Sequence, residues 1–330
     1  MVWVIAIAWA LFLALLAVRT PDTNPDQMIA KYQLPESQFI RRSDGLNIHF
    51  TDQGCRECPT LVFVHGGNAS LHSMLPTAKF LEDKYRIISF DNAGHGLTGP
   101  HPANDYSADG FIDVLSAVLL ENEIDRFTLL GSSMGGWVSW RYALLHPERL
   151  NALILVGAYG APAPKGVAQR KLYLAARIRK NPLGRWISQH ITPRSIVKRS
   201  LEGVYADERL ISDTLTDRYW ELARFPGNRR AAAIRSQTDR EDHIADRLIE
   251  IETPTLLIWG REDEVIPVHF ADSFQALIPN TEKVLFDGVA HVPTEEAPLM
   301  TADAIDQFLR KTLDGPTQNN AEVSKNVDGL

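Results

Sequence analysis

The chain has 330 residues, 45% of them hydrophobic and 23% charged, with 19 Pro and 21 Gly spread along it and no repeat at a fixed period. This composition excludes wholesale disorder, collagen and a coiled coil, and the length suffices for a large core in one elaborated domain or two. The net charge of −7 argues against nucleic acid as the main partner, because phosphate binding needs a basic surface.

Met1 to Val18 is an apolar run without a charged side chain. At ~1.5 Å per helical residue it would span about 27 Å, enough for a thin hydrocarbon core. No Lys or Arg precedes it and no Ala-x-Ala follows it, so it reads as an uncleaved single-pass membrane anchor over residues 1–19 rather than a cleaved signal. Arg19 and Lys31, behind the run, favour a cytoplasmic body on charge alone. Residues 20–37, with Pro, Asp and Asn, read as a linker.

A β pattern follows. Gln38–Ile40 and Leu46–Phe50 flank an Asp44-Gly45 turn, and then come Thr60–Val64, Arg86–Phe90, Phe127–Leu130, Ala152–Val156, Thr255–Trp259 and Thr281–Phe286. Several are continuous apolar runs, the mark of strands buried on both faces. Helical spacing marks Leu71–Leu81, Ser107–Asn122, Met134–His146, Val268–Leu277 and Ala297–Leu313. The alternation predicts an α/β fold with a mostly parallel sheet flanked by helices. Residues 38–160 and 251–314 form the two parts of this core. Residues 161–250, helical in pattern and broken by Pro182, Pro193 and Pro226, read as an insertion between two core strands, and 315–330 as a disordered tail. Between Ala161 and Ser200 stand ten Lys or Arg and no Asp or Glu. Such a block mixed with apolar residues suits either an anionic lipid surface or a solvated face.

The two cysteines, Cys55 and Cys58, stand in Cys-Arg-Glu-Cys before a strand. Zinc would need more ligands and a redox pair would open a helix, so a surface turn is expected, disulfide-bonded if the compartment is oxidising.

Gly131-Ser132-Ser133-Met134-Gly135 joins a strand to a helix. Gly-x-Ser-x-Gly in that context sets a serine on a tight, strained turn with its hydroxyl exposed at a helix N-terminus. Four further motifs follow strands in order: His65-Gly66-Gly67-Asn68, Asp91-Asn92-Ala93-Gly94-His95-Gly96, Gly260-Arg261-Glu262-Asp263-Glu264, and Gly288-Val289-Ala290-His291. Together with the serine turn they resemble the α/β-hydrolase fold family in its serine-nucleophile, esterase- and lipase-like branch, over residues 40 to 313.

The resemblance implies that Ser133 is the nucleophile, Asp263 the acid and His291 the general base, in this fold's chain order. Glu262 and Glu264 are close rivals of Asp263. The backbone N–H groups of Gly67 and Met134 would form the oxyanion hole. His65, Asp91 and His95 are expected to hold loops. Ala290 stands where the family has Gly. The insertion would be a cap over the site, and no cofactor or metal is required. Serine at the nucleophile position excludes the epoxide hydrolases and haloalkane dehalogenases of this fold, which use Asp.

The function expected is a membrane-anchored serine hydrolase of carboxylic esters, acylglycerols or other lipid esters, with a small-molecule or lipid ester as substrate. The anchor and the basic cap would supply the membrane contact. The alternatives are a carbon–carbon bond hydrolase or perhydrolase with the same triad, or a non-catalytic binding protein. The family resemblance places the body on the extracytoplasmic side, against the weak charge argument.

Overall fold

The computed structural model describes residues 3, 9, 19–163, 181–238 and 242–313. Its strands are β1 Ser37–Arg41, β2 Asn47–Gly54, β3 Thr60–Val64, β4 Arg86–Phe90, β5 Phe127–Ser132, β6 Leu150–Val156, β7 Thr255–Gly260 and β8 Thr281–Phe286. They form one eight-stranded sheet in the order β1-β2-β4-β3-β5-β6-β7-β8. Strand β2 runs antiparallel to β1 and β4, and the other pairings are parallel.

Among the described residues the α-helices of eight residues or more are α1 Pro25–Tyr32, α2 Ala108–Glu121, α3 Met134–Leu145, α4 Pro182–His190, α5 Arg194–Glu202, α6 Asp213–Ala223, α7 Asn228–Arg235, α8 His269–Leu277 and α9 Pro298–Leu313. The apolar runs of the strands feed two cores, because successive side chains point to opposite faces. Val62, Val64, Leu129 and Leu257 pack with α2, α3 and α8, whereas Leu61, Phe63, Leu130 and Ile258 pack with α9. Helices α4 to α7 fall between β6 and β7, where the cap is expected.

Three sequence expectations change. The helix expected over Leu71–Leu81 is a 3-10 turn, Leu71–Ser73, followed by one helical turn, Leu75–Ala78. Pro76 lacks an N–H and fits only the first turn of a helix, so the pattern cannot run through it. The stretch read as a linker contains α1, whose Asn24 cap accepts the Gln27 N–H at 3.0 Å and whose Pro25 opens the helix. This segment straps the cap. Thr20 N–H donates to His190 O at 2.8 Å and Thr23 N–H to Arg224 O at 2.9 Å. Lys31 and Tyr32 both reach Glu221 at 2.6 Å, and Met28 packs with Leu97, Leu222 and Phe225.

The third change concerns the membrane. Among the described residues no helix is long and apolar enough to cross one, so the anchored location expected from the sequence is corrected. A span needs about 20 apolar residues in one continuous helix, and apolar composition alone does not provide that. Of residues 1–18 only Trp3 and Trp9 are described, and the rest of the stretch lies outside the described residues. So do the tail from 315 and six of the ten basic cap residues, at 165, 170, 171, 177, 179 and 180. Of the remainder, Arg194 is paired with Asp213 and Asp217 within the cap.

Cys55 and Cys58 are joined by a disulfide across the turn between β2 and β3.

Candidate active site

Ser133 occupies the single residue between β5 and α3. Its φ of 52° and ψ of −113° lie where side-chain-bearing residues rarely go, a strain of about 1–3 kcal/mol that only a well-determined surrounding maintains. The turn is fixed by its backbone: Ser133 N–H donates to Val156 O at 2.9 Å, and Ser133 O accepts from Tyr159 N–H at 3.1 Å. The flanking glycines are required by contact. A Cβ on Gly131 would sit 2.3 Å from Gly135 O, and one on Gly135 would sit 2.1 Å from Val64 O. Strand, turn and helix can close on one another only without those carbons.

His291 and Asp263 come from the loops after β8 and β7. His291 Nδ1 lies 2.8 Å from Asp263 Oδ2, and His291 Nε2 lies 3.0 Å from Ser133 Oγ. A carboxylate only accepts, so Nδ1 carries the proton and Nε2 is left to accept from the serine hydroxyl. Asp263 is held in turn by the N–H groups of Val265 and Ile266, each donating to Oδ1 at 2.8 Å. The rivals are elsewhere. Glu262 accepts the Val289 N–H at 3.0 Å and Glu264 is exposed. Ala290, in place of the family's glycine, is accommodated because the loop takes its left-handed turn at Gly288, with φ 71°.

The His65–Asn68 loop follows β3 and lies against the serine turn. A Cβ at Gly66 would be 3.2 Å from the Ser133 Cβ, and one at Gly67 would be 3.7 Å from the Met134 Cβ. Met134 is the first residue of α3, whose N–H has no acceptor within the helix. Gly67 and Met134, the two residues named from the sequence for their amides, therefore adjoin one another beside Ser133. His65 stays in the loop framework: Nδ1 donates to Gly66 O at 2.7 Å and Nε2 accepts the Asn92 N–H at 3.0 Å. Burial pushes its pKa down, which keeps it neutral and able to accept. His95 bonds Ala93 O and the cap residue Arg235.

Asp91 belongs to a second network that motif reasoning passed over. Its Oδ2 lies 2.7 Å from His49 Nδ1, and His49 Nε2 lies 2.7 Å from Ser37 Oγ. Its oxygens also accept the N–H groups of Leu71 and Leu97 at 2.8 Å. Burial works against the charge, but the His49 hydrogen bond and nearby histidines hold the Asp91 carboxyl well below the ordinary range. This is a second Ser–His–Asp chain, 0% exposed at His49 and Asp91. The Asp-x-x-Gly motif marks its acid, whereas Ser37 and His49 carry no local signal.

The cap also holds the loop that carries His291. His291 N–H donates to Val204 O at 3.0 Å, and Glu296 accepts the N–H groups of Ala206 and Asp207 at 2.7 and 3.0 Å. Glu295 takes Arg218 and Tyr219 of α6. Burial opposes the charge on Arg218, but Glu295 outweighs it and keeps the guanidinium protonated. Between cap and core lies a cavity of about 340 Å³, bounded by Gly67, Ser133 and His291 on one side and by Ile187, Ile191, Val197 and Leu201 of the cap on the other. It suits an apolar chain ending at the serine.

An open-edged sheet of this order, a strained serine turn after β5, and an acid and base after β7 and β8 define a triad-bearing α/β enzyme architecture. The chain belongs to the α/β-hydrolase fold family, whose model matches residues 59–298. Lipase 3 of Moraxella sp. (strain TA144) is 24% identical over 308 residues, covering 88% of this chain and 91% of that protein. A membrane phospholipase A, described as a bacterial virulence factor, superposes with a TM-score of 0.71 at 22% identity, covering 95% of this chain and 99% of that one. A meta-cleavage product hydrolase from Pseudomonas fluorescens IP01 gives 0.69 at 21% identity, covering 83% and 97%. These likenesses agree with the fold and leave the chemistry to be read from the chain's own residues.

Proposed function

We propose that the chain is a serine hydrolase of carboxylic esters that works through an acyl-enzyme on Ser133. The observation that carries the proposal is the unbroken bond chain Asp263–His291–Ser133 ending in a largely apolar cavity beside the Gly67 and Met134 amides. Ser133 Oγ attacks the ester carbonyl carbon while His291 Nε2 takes its proton. Asp263 keeps the imidazole in its Nδ1–H form and stabilises the imidazolium. Charge moves to the carbonyl oxygen, which accepts from the two amides, and fixed donors of this kind contribute about 3–4 kcal/mol each. Collapse of the tetrahedral intermediate breaks the C–O bond, and His291 returns the proton to the departing alcohol. Water, deprotonated by the same His291, then attacks the acyl carbon and regenerates Ser133.

The mostly apolar cap wall favours esters with an aliphatic acyl chain, acylglycerols and other lipid esters among them. A p-nitrophenyl ester series of rising chain length tests the proposal. Turnover with an optimum at intermediate length, absent in Ser133→Ala, supports it. No turnover at any length, with fluorophosphonate still reacting at Ser133, would overturn the ester assignment in favour of carbon–carbon bond hydrolysis.

A further inference from the structure

The N-terminus of cap helix α7 is pinned to the core by Asn228, whose Nδ2 donates to Gly96 O at 3.1 Å. Its middle presses on the turn after β4, where a Cβ on Gly94 would lie 2.5 Å from the Ala231 Cβ. Its last residue, Arg235, is 6% exposed. Arg235 Nη1 donates to His95 Nε2 at 2.6 Å and Nη2 to Asn68 Oδ1 at 2.7 Å. His95 passes the contact on, donating from Nδ1 to Ala93 O at 3.0 Å. Helix α7 is therefore a strut, fixed to the core along its length, with a forked donor at its end.

The fork ends on the oxyanion loop. Asn68 directly follows Gly67 and has a φ of 63°, a left-handed conformation that residues with side chains adopt only when something holds them. Gly67 itself has no side chain to restrain it, so the aim of its N–H depends on its neighbours. Gly66 lies against the serine turn, and its carbonyl, in the same peptide plane as the Gly67 N–H, accepts from His65 Nδ1 at 2.7 Å and from the Ala69 N–H at 3.3 Å. On the other side the fixed point is Asn68, and its side chain is fixed by Arg235.

We infer that Arg235 is a positioning residue for catalysis: through Asn68 it holds the far side of Gly67, while His65 holds the Gly66 carbonyl on the near side, so that the Gly67 N–H keeps the direction a developing oxyanion requires. The inference rests on the proposed oxyanion role of Gly67. The cap then contributes to the rate of the chemical step as well as covering the cavity. Arg rather than Lys is needed because only a planar fork can meet His95 and Asn68 together.

The test uses the full chain with Arg235→Met, Arg235→Lys, Asn68→Gly and the Arg235→Met/Asn68→Gly double variant. Each is assayed for kcat and KM on a short p-nitrophenyl ester. Each is also assayed for inhibition by an alkyl trifluoromethyl ketone, which adds to the serine and forms an oxyanion. Arg235→Met should lower kcat about 10- to 100-fold, less than loss of an oxyanion donor itself, with KM nearly unchanged. Trifluoromethyl ketone affinity should fall in step with kcat/KM. Arg235→Lys should recover only part of the loss. Asn68→Gly should lose about as much as Arg235→Met, and the double variant little more, because both break one link.

The inference is overturned if kcat is retained in Arg235→Met, if ketone affinity does not follow kcat/KM, or if the two single losses multiply. Should Arg235→Met fail to fold, Asn68→Gly and Arg235→Lys decide by the same readouts. If the wild type neither hydrolyses the ester nor binds the ketone, the proposed hydrolase function falls first and this inference with it.

Discussion

Two Ser–His–Asp chains stand in this molecule. In one, Ser133, His291 and Asp263 are linked at 3.0 and 2.8 Å, and in the other Ser37, His49 and Asp91 at 2.7 and 2.7 Å. Both carboxylates are buried and take two backbone N–H groups besides their histidine. Judged by bond lengths alone, the second is the tighter triad. The difference lies around the serine. Ser133 stands on a strained turn, lines the cavity beside Gly67 and is followed by Met134 at the start of α3, and among the described residues His291 is the one hydrogen-bond partner of its Oγ. Ser37 lies in the edge strand β1, and its Oγ already accepts the Leu34 N–H at 2.8 Å. A relay of this kind activates a hydroxyl only where a carbonyl can reach it and an oxyanion can be received. Elsewhere the same three residues hold strands and loops together.

Substitution should separate the two chains. Ser133→Ala should lower kcat about 10⁶-fold, while Ser37→Ala should leave kcat unchanged. Comparable losses in steady-state assays would erase the distinction. Asp263→Asn should cost about 10⁴-fold in kcat by putting the imidazole in the wrong tautomer. Replacing Asp91 should instead be read in expression and melting temperature, because its bonds organise loops rather than the nucleophile.

Acid should sharpen the comparison through stability. His72 sits beside the Ser37 network, with its ring 6.5 Å from that of His49. Burial pushes its pKa from 6.5 down to about 4. Between those values the unfolded chain binds the proton and the folded one does not. The stability held by neutral His72 is therefore full above about pH 6.5, falls through the interval and is lost below about pH 4, a change on the order of 3 kcal/mol. Denaturant unfolding between pH 7 and 4.5 should show this slope, and His72→Gln should reduce it, leaving the part contributed by His65 and His95, which burial also pushes down. Equal slopes would remove His72 as the cause.

The smallest effect is expected at Ser37. Ser37→Ala leaves His49 Nε2 and the Leu34 N–H without their partner and should destabilise by about 1–3 kcal/mol. A melting temperature equal to wild type would mean that this chain is not structural either.

Much of the site was legible because its parts are local. Gly131 and Gly135 are demanded by contacts within one turn, and the strands that carry the motifs are short apolar runs whose alternate residues feed two cores. The resemblance pointed to Asp263 among three adjacent carboxylates, but the physical difference between it and Glu262 or Glu264, that the loop buries Asp263 and exposes the other two, was not legible in the sequence. Arg235 and Asn68 meet across 167 positions and Arg218 and Glu295 across 77, distances over which periodicity carries no information. Helix α1 had a legible start in Asn24-Pro25, but its cap contacts belong to the tertiary fold. The anchored location, inferred from the composition of residues 1–18, finds no spanning helix among the described residues.

The most direct measurement is fluorophosphonate labelling of wild type, Ser133→Ala and Ser37→Ala, with the modified peptide located by mass spectrometry. The account predicts one adduct, on Ser133, lost in Ser133→Ala and undiminished in Ser37→Ala. An adduct on Ser37, or labelling that survives Ser133→Ala, would contradict it.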